Sequence, residues 1–362
     1  MSFSTLPPEL IYLVIQFINP DLATLQILYA INRRMHQIAC PLVFRFVQLG
    51  STTSVDSFCH TVTSLRPSCS RYITSLQVGP QYCVNSEESI QLSKGLLARL
   101  RRAIETLDNL KSLSLMVSRQ ALAELLNGLT VSFKLDTFVH SGEFSMALLH
   151  FLERQTSLTK LGWYGSTTRS DADVFSNSMR TNPGLLPKLR SLDGVPPILT
   201  ALIPLRPISS VTILPVLGDE VSIHLAAFGN SLAQSMVPIT CICTVEDRRT
   251  RGTWGWVIVE LRERHAAFLH LKEIQVIKLS TLDNDQRDWE SEGILMGIYP
   301  SFLRFNALEK LEFKVRPVSA SYRPSRSNIH GWLARCEMQH PSSWMKNNPS
   351  LSTIILYGHV IS

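Results

Sequence analysis

Two cysteines and two histidines have spacings that invite a test for metal chemistry. Cys241 and Cys243 are two residues apart in a predicted strand, so their side chains would face the same way. A zinc site needs further ligands at suitable spacing, and none lies nearby in the sequence. His265 and His270 are five residues apart, which misses the i, i+4 spacing of a helical metal-binding pair. We therefore expect buried strand cysteines, and we predict no metal ion and no cofactor.

An acidic segment has part of the spacing of a calcium-binding loop. Its carboxylates are Asp283, Asp285, Asp288, Glu290 and Glu292. A calcium loop also needs a turn glycine and a terminal glutamate. The glycine is missing, Arg287 occupies a ligand position, and Ile294 replaces the glutamate. The segment therefore predicts a solvated loop or an electrostatic contact for a basic target.

Two basic segments combine arginine with aromatic residues, which can hold phosphates while rings stack on bases. One runs through Arg248, Arg249 and Arg251 to Trp254 and Trp256, and the other has Arg316, Tyr322, Arg323 and Arg326 in a Pro- and Ser-rich loop. An arginine-rich loop is more often a solvated connection, and a net charge of +6 is modest. We therefore do not predict a nucleic-acid partner. The candidate contacts for a protein target are Arg248, Arg249, Trp254, Asp283, Asp285, Trp289, Arg323 and Arg326.

Familiar catalytic motifs are missing from the sequence. It has no Gly-rich phosphate loop with lysine, no G-x-S-x-G and no H-E-x-x-H. Ser, His and Asp residues that are distant in the sequence could still assemble in space, so an enzyme remains a rival interpretation. We expect a protein that is not an enzyme.

The composition of the 362 residues, with 45% hydrophobic and 18% charged, is that of a folded protein. Seven scattered cysteines do not suggest a disulfide framework, and residues 1–5 do not begin a signal peptide. We therefore expect a cytoplasmic and/or nuclear location. Residues 221–245 lack charged side chains but include His224 and Pro238. They predict a buried helix reaching Met236 and then a strand from Ile239, so we expect no membrane span.

A short pattern, apolar-x-x-apolar-x-apolar, recurs along the chain and predicts a series of strands. Its copies are Ile73/Leu76/Val78, Leu110/Leu113/Leu115, Leu135/Phe138, Leu158/Leu161/Trp163, Leu189/Leu192/Gly194, Ile208/Val211/Ile213, Leu271/Ile274/Val276, Leu308/Leu311/Phe313 and Leu351/Ile354/Leu356. Helical patterns lie between the copies, so a crossover reaches each strand and the sheet should be largely parallel. Such α/β units favour an irregular solenoid with short parallel strands. A layered α/β domain with a parallel sheet is the alternative.

The stretch from Thr5 to about Leu49 predicts three short helices. Pro7 and Pro8 suit a helix entry, and Glu9 suits the first turn. Apolar residues then recur at helical spacing: Leu10, Leu13, Val14 and Phe17, broadened by Ile11, Ile15 and Ile18. A second helix should follow Asp21, and a third short turn should run through Met35 until Pro41 restarts the chain. Three short helices form only a small hydrophobic core, which a neighbouring domain or a partner protein usually has to cover.

These residues resemble an F-box, particularly its divergent fungal form. The matching positions are Leu6-Pro7-Pro8-Glu9-Leu10-Ile11, Ile15, Leu22, Leu25, Asn32-Arg33, Pro41-Leu42 and Phe46-Val47-Gln48-Leu49. Met35 stands where the family usually has a tryptophan. The resemblance implies the substrate-recognition subunit of a Skp–cullin–F-box ubiquitin ligase, in which other subunits transfer ubiquitin. The partners would be a Skp-family linker protein, through it a cullin, and an unknown protein target.

Residues 4–49 would then be the F-box-like module, and 71–362 a target-binding domain that resembles irregular leucine-rich repeats. Residues 50–70 would be a connecting linker with room for one helix, since Val55, Phe58 and Val62 form a short apolar stripe. The residues expected to bind the linker protein are Leu6, Pro7, Pro8, Glu9, Leu10, Ile11, Val14, Ile15, Phe17 and Leu25. Target contacts are also expected on the insertions 164–184, 246–255, 281–293 and 316–328. The rival is a free-standing repeat scaffold, which predicts that Leu10, Val14 and Phe17 are buried within the same chain.

Overall fold

Helices alternate with short, mostly parallel strands along the chain, as the repeated apolar pattern predicts. A computed structural model describes residues 6–18, 22–80, 90–165, 169–214, 221–246, 269–280, 305–317, 325–335, 343–344 and 348–361. The chain divides into two compact units, residues 1–158 (unit 1) and 159–362 (unit 2). The predicted α/β class is confirmed in both units.

Unit 1 begins with three helices and continues with a four-stranded parallel sheet. Its elements are α1 (Pro8–Ile18), α2 (Leu22–Ile31), α3 (Arg33–Val43), β1 (Phe46–Leu49), α4 (Thr52–His60), a π-helical turn (Thr61–Leu65), a 3-10 helix (Pro67–Tyr72), β2 (Ser75–Val78), α5 (Lys94–Glu105), β3 (Ser112–Leu115), α6 (Arg119–Leu126), β4 (Thr137–His140) and α7 (Met146–Glu153). The strands pair in sequence order, with Leu76 opposite Leu113 and Leu113 opposite Phe138. Because each strand lies next to its predecessor, every crossover helix can pack on the one before it.

Unit 2 repeats this alternation with longer strands toward its end. Its described elements are β5 (Lys160–Trp163), α8 (Arg169–Thr181), β6 (Ser191–Gly194), α9 (Pro196–Leu202), β7 (Ser210–Ile213), α10 (Val221–Leu232), β8 (Cys241–Glu246), β9 (Glu273–Ser280), β10 (Lys310–Pro317), α11 (Arg326–Arg335), β11 (Thr353–Leu356) and β12 (His359–Val360). The consecutive strands from β5 to β11 pair in parallel, while β12 turns back antiparallel to β11. The reversal uses Tyr357 and Gly358, whose positive φ values of 55° and 88° suit a tight hairpin.

The apolar pattern forms the core on one side of each sheet. In the copy of β2, Ile73, Leu76 and Val78 are all fully buried, and the other strong copies behave in the same way. The strand predicted from Ile239 carries a further copy at Ile239, Ile242 and Thr244, in which a threonine takes the third apolar position. Thr244 is nevertheless buried, at 2% exposed. The pattern therefore marks the strands even where one of its three positions is polar.

Main-chain hydrogen bonds link each strand to the next at one regular point. The carbonyl of Thr74, just before β2, accepts from Lys111 N at 2.8 Å and Ser112 N at 3.0 Å. Equivalent carbonyls are those of Arg45 and Lys111 in unit 1, and of Thr159, Arg190, Ser209, Thr240, Lys272 and Glu309 in unit 2. Leucine-rich repeats usually use an Asn or Cys ladder, which this sequence lacks. Here the backbone satisfies its own donors at a regular point before each strand.

Serine residues start the crossover helices of unit 1. The side chains of Ser51, Ser93, Ser118 and Ser145 each accept from a main-chain N–H in the first turn of α4, α5, α6 and α7. A serine at this position satisfies a donor that the helix itself leaves unpaired, and it contributes roughly 1 kcal/mol. The local sequence therefore sets where each of these helices begins.

A buried arginine closes the C-terminal end of α8. Arg206 is 2% exposed and donates to the carbonyls of Leu185 at 2.8 Å, Leu205 at 2.9 Å and Met179 at 3.3 Å. A further bond reaches the carbonyl of Asn182 at 3.3 Å. Burial lowers the pKa of the guanidinium from its usual value. The positive charge is stabilised by the carbonyl dipoles at the end of the helix, where cations are favoured.

Several sequence predictions need correction. The predicted linker 50–70 is helical and packs into unit 1, because Val55, Phe58 and Val62 point into the core. The third helix does not stop at Pro41 but runs through it to Val43, since a proline in the last turn removes a single helical bond.

Two segments of unit 2 differ from what the sequence suggests. The insertion 164–184 contains α8, whose Phe175 and Met179 are buried at helical spacing, and its contact with a target stays a prediction. The helix α10 ends at Leu232, so Met236 is 68% exposed instead of buried. Within the described ranges, the helices are too short or too polar to cross a lipid bilayer.

Candidate functional site

The first helix begins as its prolines predict and is apolar on two faces. Pro8 opens α1, and the carbonyl of Pro7 accepts from Leu10 N at 3.1 Å and Ile11 N at 3.2 Å. Glu9 lies in the first turn, where the helix dipole favours a negative charge. From Leu10 onward the helix is so rich in apolar side chains that one neighbour cannot cover them all. Its packing decides which face stays open.

The inner face of α1 forms the core of a three-helix module, residues 6–49. Ile11 and Ile15 are 1% and 5% exposed and pack with Met35, Ile38 and Leu42 of α3. Asn32 caps α3 by accepting from Met35 N at 2.9 Å, and the Arg34 guanidinium binds the Leu6 carbonyl. The module therefore has a small hydrophobic core of its own.

This packing revises part of the predicted binding set. Ile11 and Ile15 were predicted to face the linker protein, yet they are buried in the core of the module. Leu6 and Leu25 pack partly against the same core. Ile11 and Ile15 therefore shape the module and are not surface contacts, whereas Leu6 and Leu25 stay half-buried.

The outer face of α1 is an exposed apolar stripe. Leu10, Leu13 and Val14 are 48%, 56% and 43% exposed, and Phe17 is 92% exposed. Their spacing of three and four residues places them on one side of the helix. The predicted residues Pro7, Pro8 and Glu9 are also exposed, at the beginning of the same helix. Exposed apolar side chains grouped in this way mark surfaces that bind other molecules. We call Leu10, Leu13, Val14 and Phe17 the α1 stripe.

Two grooves flank α1. The first has a volume of about 470 Å³ and lies between α1 and α3, with Tyr12, Leu13, Ile38 and Pro41 in its lining. Leu13 belongs to the α1 stripe as well, so this groove continues the exposed apolar surface. The second has a volume of about 580 Å³ and lies between α1, α2 and β1. We call it the β1 groove.

The helical module is fastened to the 3-10 helix that follows α4. The Arg66 guanidinium binds the hydroxyl of Tyr29, whose ring lies 3.8 Å from that of His36. Burial raises the pKa of the Cys40 thiol to about 11, and the neighbouring Cys69 contributes to the same effect. The module and the first crossover therefore meet through side chains from both.

Most of the predicted target contacts lie outside the described residues: Arg248, Arg249, Trp254, Asp283, Asp285, Trp289 and Arg323. Arg326 is exposed at the first position of α11, which the Ser325 hydroxyl caps by accepting from Asn328 N at 3.2 Å. These target contacts stay predictions.

The cysteine pair lies in a strand, as its spacing predicts. Cys241 and Cys243 belong to β8, and Cys243 is 7% exposed. Burial is the main cause that raises the pKa of the Cys241 thiol. In the parts of the chain that the structure describes, no three His, Cys, Asp or Glu side chains come close enough to hold a metal ion.

Unit 2 has a row of ion pairs across β9 and β10 that was not predicted from the sequence. Lys310 lies 2.6 Å from Glu273 and 2.9 Å from Glu312, and Lys314 lies 2.9 Å from Glu312. The bond to Glu273 is the main cause that raises the pKa of the Lys310 ammonium. The alternation of charged and apolar residues from Lys310 to Lys314 was a usable signal for a strand with one polar face.

Neither the models of known protein families nor the curated protein sequences with which the chain was compared give a match.

Proposed function

We propose that the three-helix module is an F-box-like docking module that binds a Skp-family linker protein, and that the rest of the chain captures a protein target. In this role the chain is the substrate-recognition subunit of a Skp–cullin–F-box ubiquitin ligase. It has no catalytic role, and other subunits transfer the ubiquitin. The α1 stripe is the observation that carries the proposal.

The α1 stripe is the second apolar face of α1. The first face is already buried in the core of the module. Burying one Leu, Val or Phe side chain contributes roughly 1.5–3 kcal/mol, so a partner that covers the stripe gains substantial binding energy. The α1–α3 groove beside Leu13 offers such a partner a concave surface. An interface of this form has an apolar centre, and Glu9 and Arg34 would lie at its polar rim.

The alternative hypothesis, a free-standing repeat scaffold, makes the opposite prediction for the same residues. It requires Leu10, Val14 and Phe17 to be buried by the chain itself, whereas all three are exposed in the part of the chain that the structure describes. This contrast favours a docking module over a helical cap for the repeats.

The remainder of the chain is proposed to be an irregular leucine-rich-repeat-like solenoid. The sequential strand order within each unit supports this proposal, as do the repeated carbonyl contacts between consecutive strands. In such an array each repeat contacts its neighbours, and the exposed strand face and loops are available for a protein ligand. A ligase gains rate chiefly by holding the target near the transfer site.

The test is co-expression of the full chain with a fungal Skp-family linker protein, followed by size-exclusion chromatography. Val14→Asp should abolish co-elution, because an interface would have to bury an unpaired carboxylate. Leu10→Asp should act in the same way. Val174→Asp on α8 is the matched control, since Val14 and Val174 are both 43% exposed. It should leave co-elution intact.

Circular dichroism must show that every variant is folded. If the intact chain does not co-elute with the linker protein, or if Val14→Asp co-elutes as well as Val174→Asp, the docking proposal is wrong. The scaffold would then be the better interpretation.

A further inference from the structure

The β1 groove contains a strand edge whose hydrogen-bonding groups face outward. β1 pairs with β2 in parallel, with Val47 opposite Leu76. The carbonyls of Arg45 and Leu49 accept from Ser75 N at 3.0 Å and Gly79 N at 2.9 Å. In a parallel ladder alternate residues bond to the partner strand, so the N–H and C=O groups of Phe46 and Gln48 point away from β2.

Among the described residues, no further strand lies beside this edge. β1 is the end strand of the sheet in unit 1, so within the described ranges no strand takes up the outward groups of Phe46 and Gln48. Proteins usually protect such an edge with proline, charge, a bulge or a very short strand. The β1 sequence, Phe46-Val47-Gln48-Leu49, contains no proline and no charge. In unit 2, by contrast, a two-residue antiparallel strand lies beside β11.

The groove beside the edge is lined by both apolar and polar uncharged residues. Apolar residues of the module, including Ile15, Leu25 and Leu42, form one side. Polar uncharged residues of the sheet, Gln48, Ser75 and Gln77, also line the groove and share one sheet face, since Gln48 pairs with Gln77. A four-residue strand is about 13 Å long, and its side chains alternate between two faces. An added strand would therefore place alternate side chains beside Phe46 and Gln48 and the others on the face of Val47.

The charge of the groove lining indicates which ligands it favours. Arg45 is the only charged residue among those described in the lining, and its guanidinium lies 5.2 Å from the centre of the Phe46 ring. Phe46 is 63% exposed, so both groups are accessible from solvent. The lining offers an acidic side chain a favourable partner and no carboxylate to repel it.

We propose that the β1 groove binds an extended, acidic peptide segment of a partner protein, which adds to the sheet as a strand along β1. Main-chain bonds to Phe46 and Gln48 hold the segment, as in other cases of strand addition. Apolar side chains at alternate positions contact Leu25 and Val43, which line the groove and are half-buried, and a carboxylate lies beside Arg45. A second copy of the chain fits less well, because its own β1 edge is recessed beside the same helices.

The experiment selects peptides from a displayed library of random octapeptides with the folded full-length chain. The selected peptides should alternate apolar residues with polar ones and include Asp or Glu. Gln48→Pro removes the outward N–H of the edge without removing a bond to β2, and such prolines are tolerated on edge strands. Gln48→Ala keeps that N–H and is the matched control.

Gln48→Pro should weaken peptide binding by about tenfold or more relative to Gln48→Ala, because an edge bond is lost and the added strand meets the proline ring. Only every second N–H of the bound peptide would point toward β1. Methylation of that set of nitrogens should abolish binding, and methylation of the other set should not, although the side chains are unchanged in both. Arg45→Gln should shift the selection away from acidic peptides. Hydrogen exchange should show protection of residues 46–49 when the peptide is bound.

Three results would overturn the proposal. The first is a selection that yields no binder. The second is equal affinity for Gln48→Pro and Gln48→Ala. The third is a dimer in light scattering that Gln48→Pro converts to a monomer, which would assign the groove to a second copy of the chain. This site is separate from the α1 stripe, so Val14→Asp should retain peptide binding and Gln48→Pro should retain the linker protein.

Discussion

Acid should destabilise unit 1 through one buried histidine. His140 ends β4 at the third position of the apolar pattern, opposite Leu115 of β3, and its ring stacks on Phe138 with centres 5.3 Å apart. It is 0% exposed. Burial lowers the pKa of His140 to about 3, and a hydrogen bond with the backbone of Gly142 acts weakly in the opposite direction. The folded protein therefore keeps this ring neutral at pH values where an exposed histidine is charged.

The pH range and the size of the effect follow from this difference. In the unfolded chain the imidazole has a pKa of about 6.5. Between about pH 6.5 and the folded value, the unfolded state binds one more proton than the folded state, so the free energy of unfolding decreases as the pH falls. At pH 5 the loss relative to pH 8 is about 2 kcal/mol, from roughly 1.5 pH units at about 1.4 kcal/mol each.

The assay compares the full chain with His140→Leu in urea at pH 8 and pH 5. Leucine is the residue that β3 carries at the paired position. All six tryptophans lie beyond residue 158, so tryptophan fluorescence cannot follow unit 1. Far-ultraviolet circular dichroism should therefore record the transition, with hydrogen exchange of peptides from β3 and β4 assigning it to unit 1. His150→Leu on the exposed side of α7 is the control.

His140→Leu should lose about 2 kcal/mol less than the parent chain between pH 8 and pH 5, and His150→Leu should not show this difference. If His140→Leu and the parent lose the same stability, the histidine does not stay neutral in the folded state and the reasoning is refuted. An NMR titration of the His140 ring provides a direct check, because the ring should not titrate between pH 8 and pH 5.

Three more perturbations test local features of the fold. Gly79 has a φ of +100°, and an added Cβ would lie 2.3 Å from the Met116 carbonyl oxygen, so Gly79→Ala should lower the free energy of unfolding by about 1–3 kcal/mol in urea titrations. Gly95→Ala, within α5 and with open space around it, should instead raise it by about 0.5–1 kcal/mol, and equal effects would contradict this account. Arg206→Lys should destabilise unit 2 by about 2 kcal/mol, measured by tryptophan fluorescence, because an ammonium cannot reproduce the planar array of donors; a lysine variant as stable as the parent would argue against it. The pKa of Cys40, raised to about 11, implies slow alkylation by iodoacetamide at pH 8 that accelerates about tenfold per pH unit, and a pH-independent rate in peptide mass spectra would exclude that protonation state.

Much of the sheet could be predicted from the sequence, because each strand has its own local signal. In the copy Leu110/Leu113/Leu115, the last two positions lie on one strand face, and all three residues are buried. Crossover helices between such copies lead to parallel pairing for geometrical reasons. The strand β1 was missed because Phe46 and Gln48 are exposed, and only Leu49 in it is deeply buried. At a sheet edge the burial signal is too weak to identify a strand.

Packing against neighbouring elements also decides whether a segment is a connection or part of the core. Residues 50–70 are rich in Ser and Thr, which suggested a linker, yet α4 packs beside β1 and α5. The insertion 164–184 likewise contains a helix, α8, that the sequence analysis did not predict. In both cases a few apolar residues at helical spacing were enough, because neighbouring elements cover them.

The candidate site shows most clearly what the sequence determined and what it left open. The prolines, Glu9 and the run of apolar residues determined that α1 exists and where it starts, since these are local effects. They could not determine which apolar face is covered, because Leu10 and Ile11 are adjacent in sequence and equally hydrophobic. Only packing against α3 placed Ile11 in the core and left Leu10 half exposed. Tertiary contacts decide the binding surface because two apolar faces on one helix are equivalent until a neighbour covers one of them.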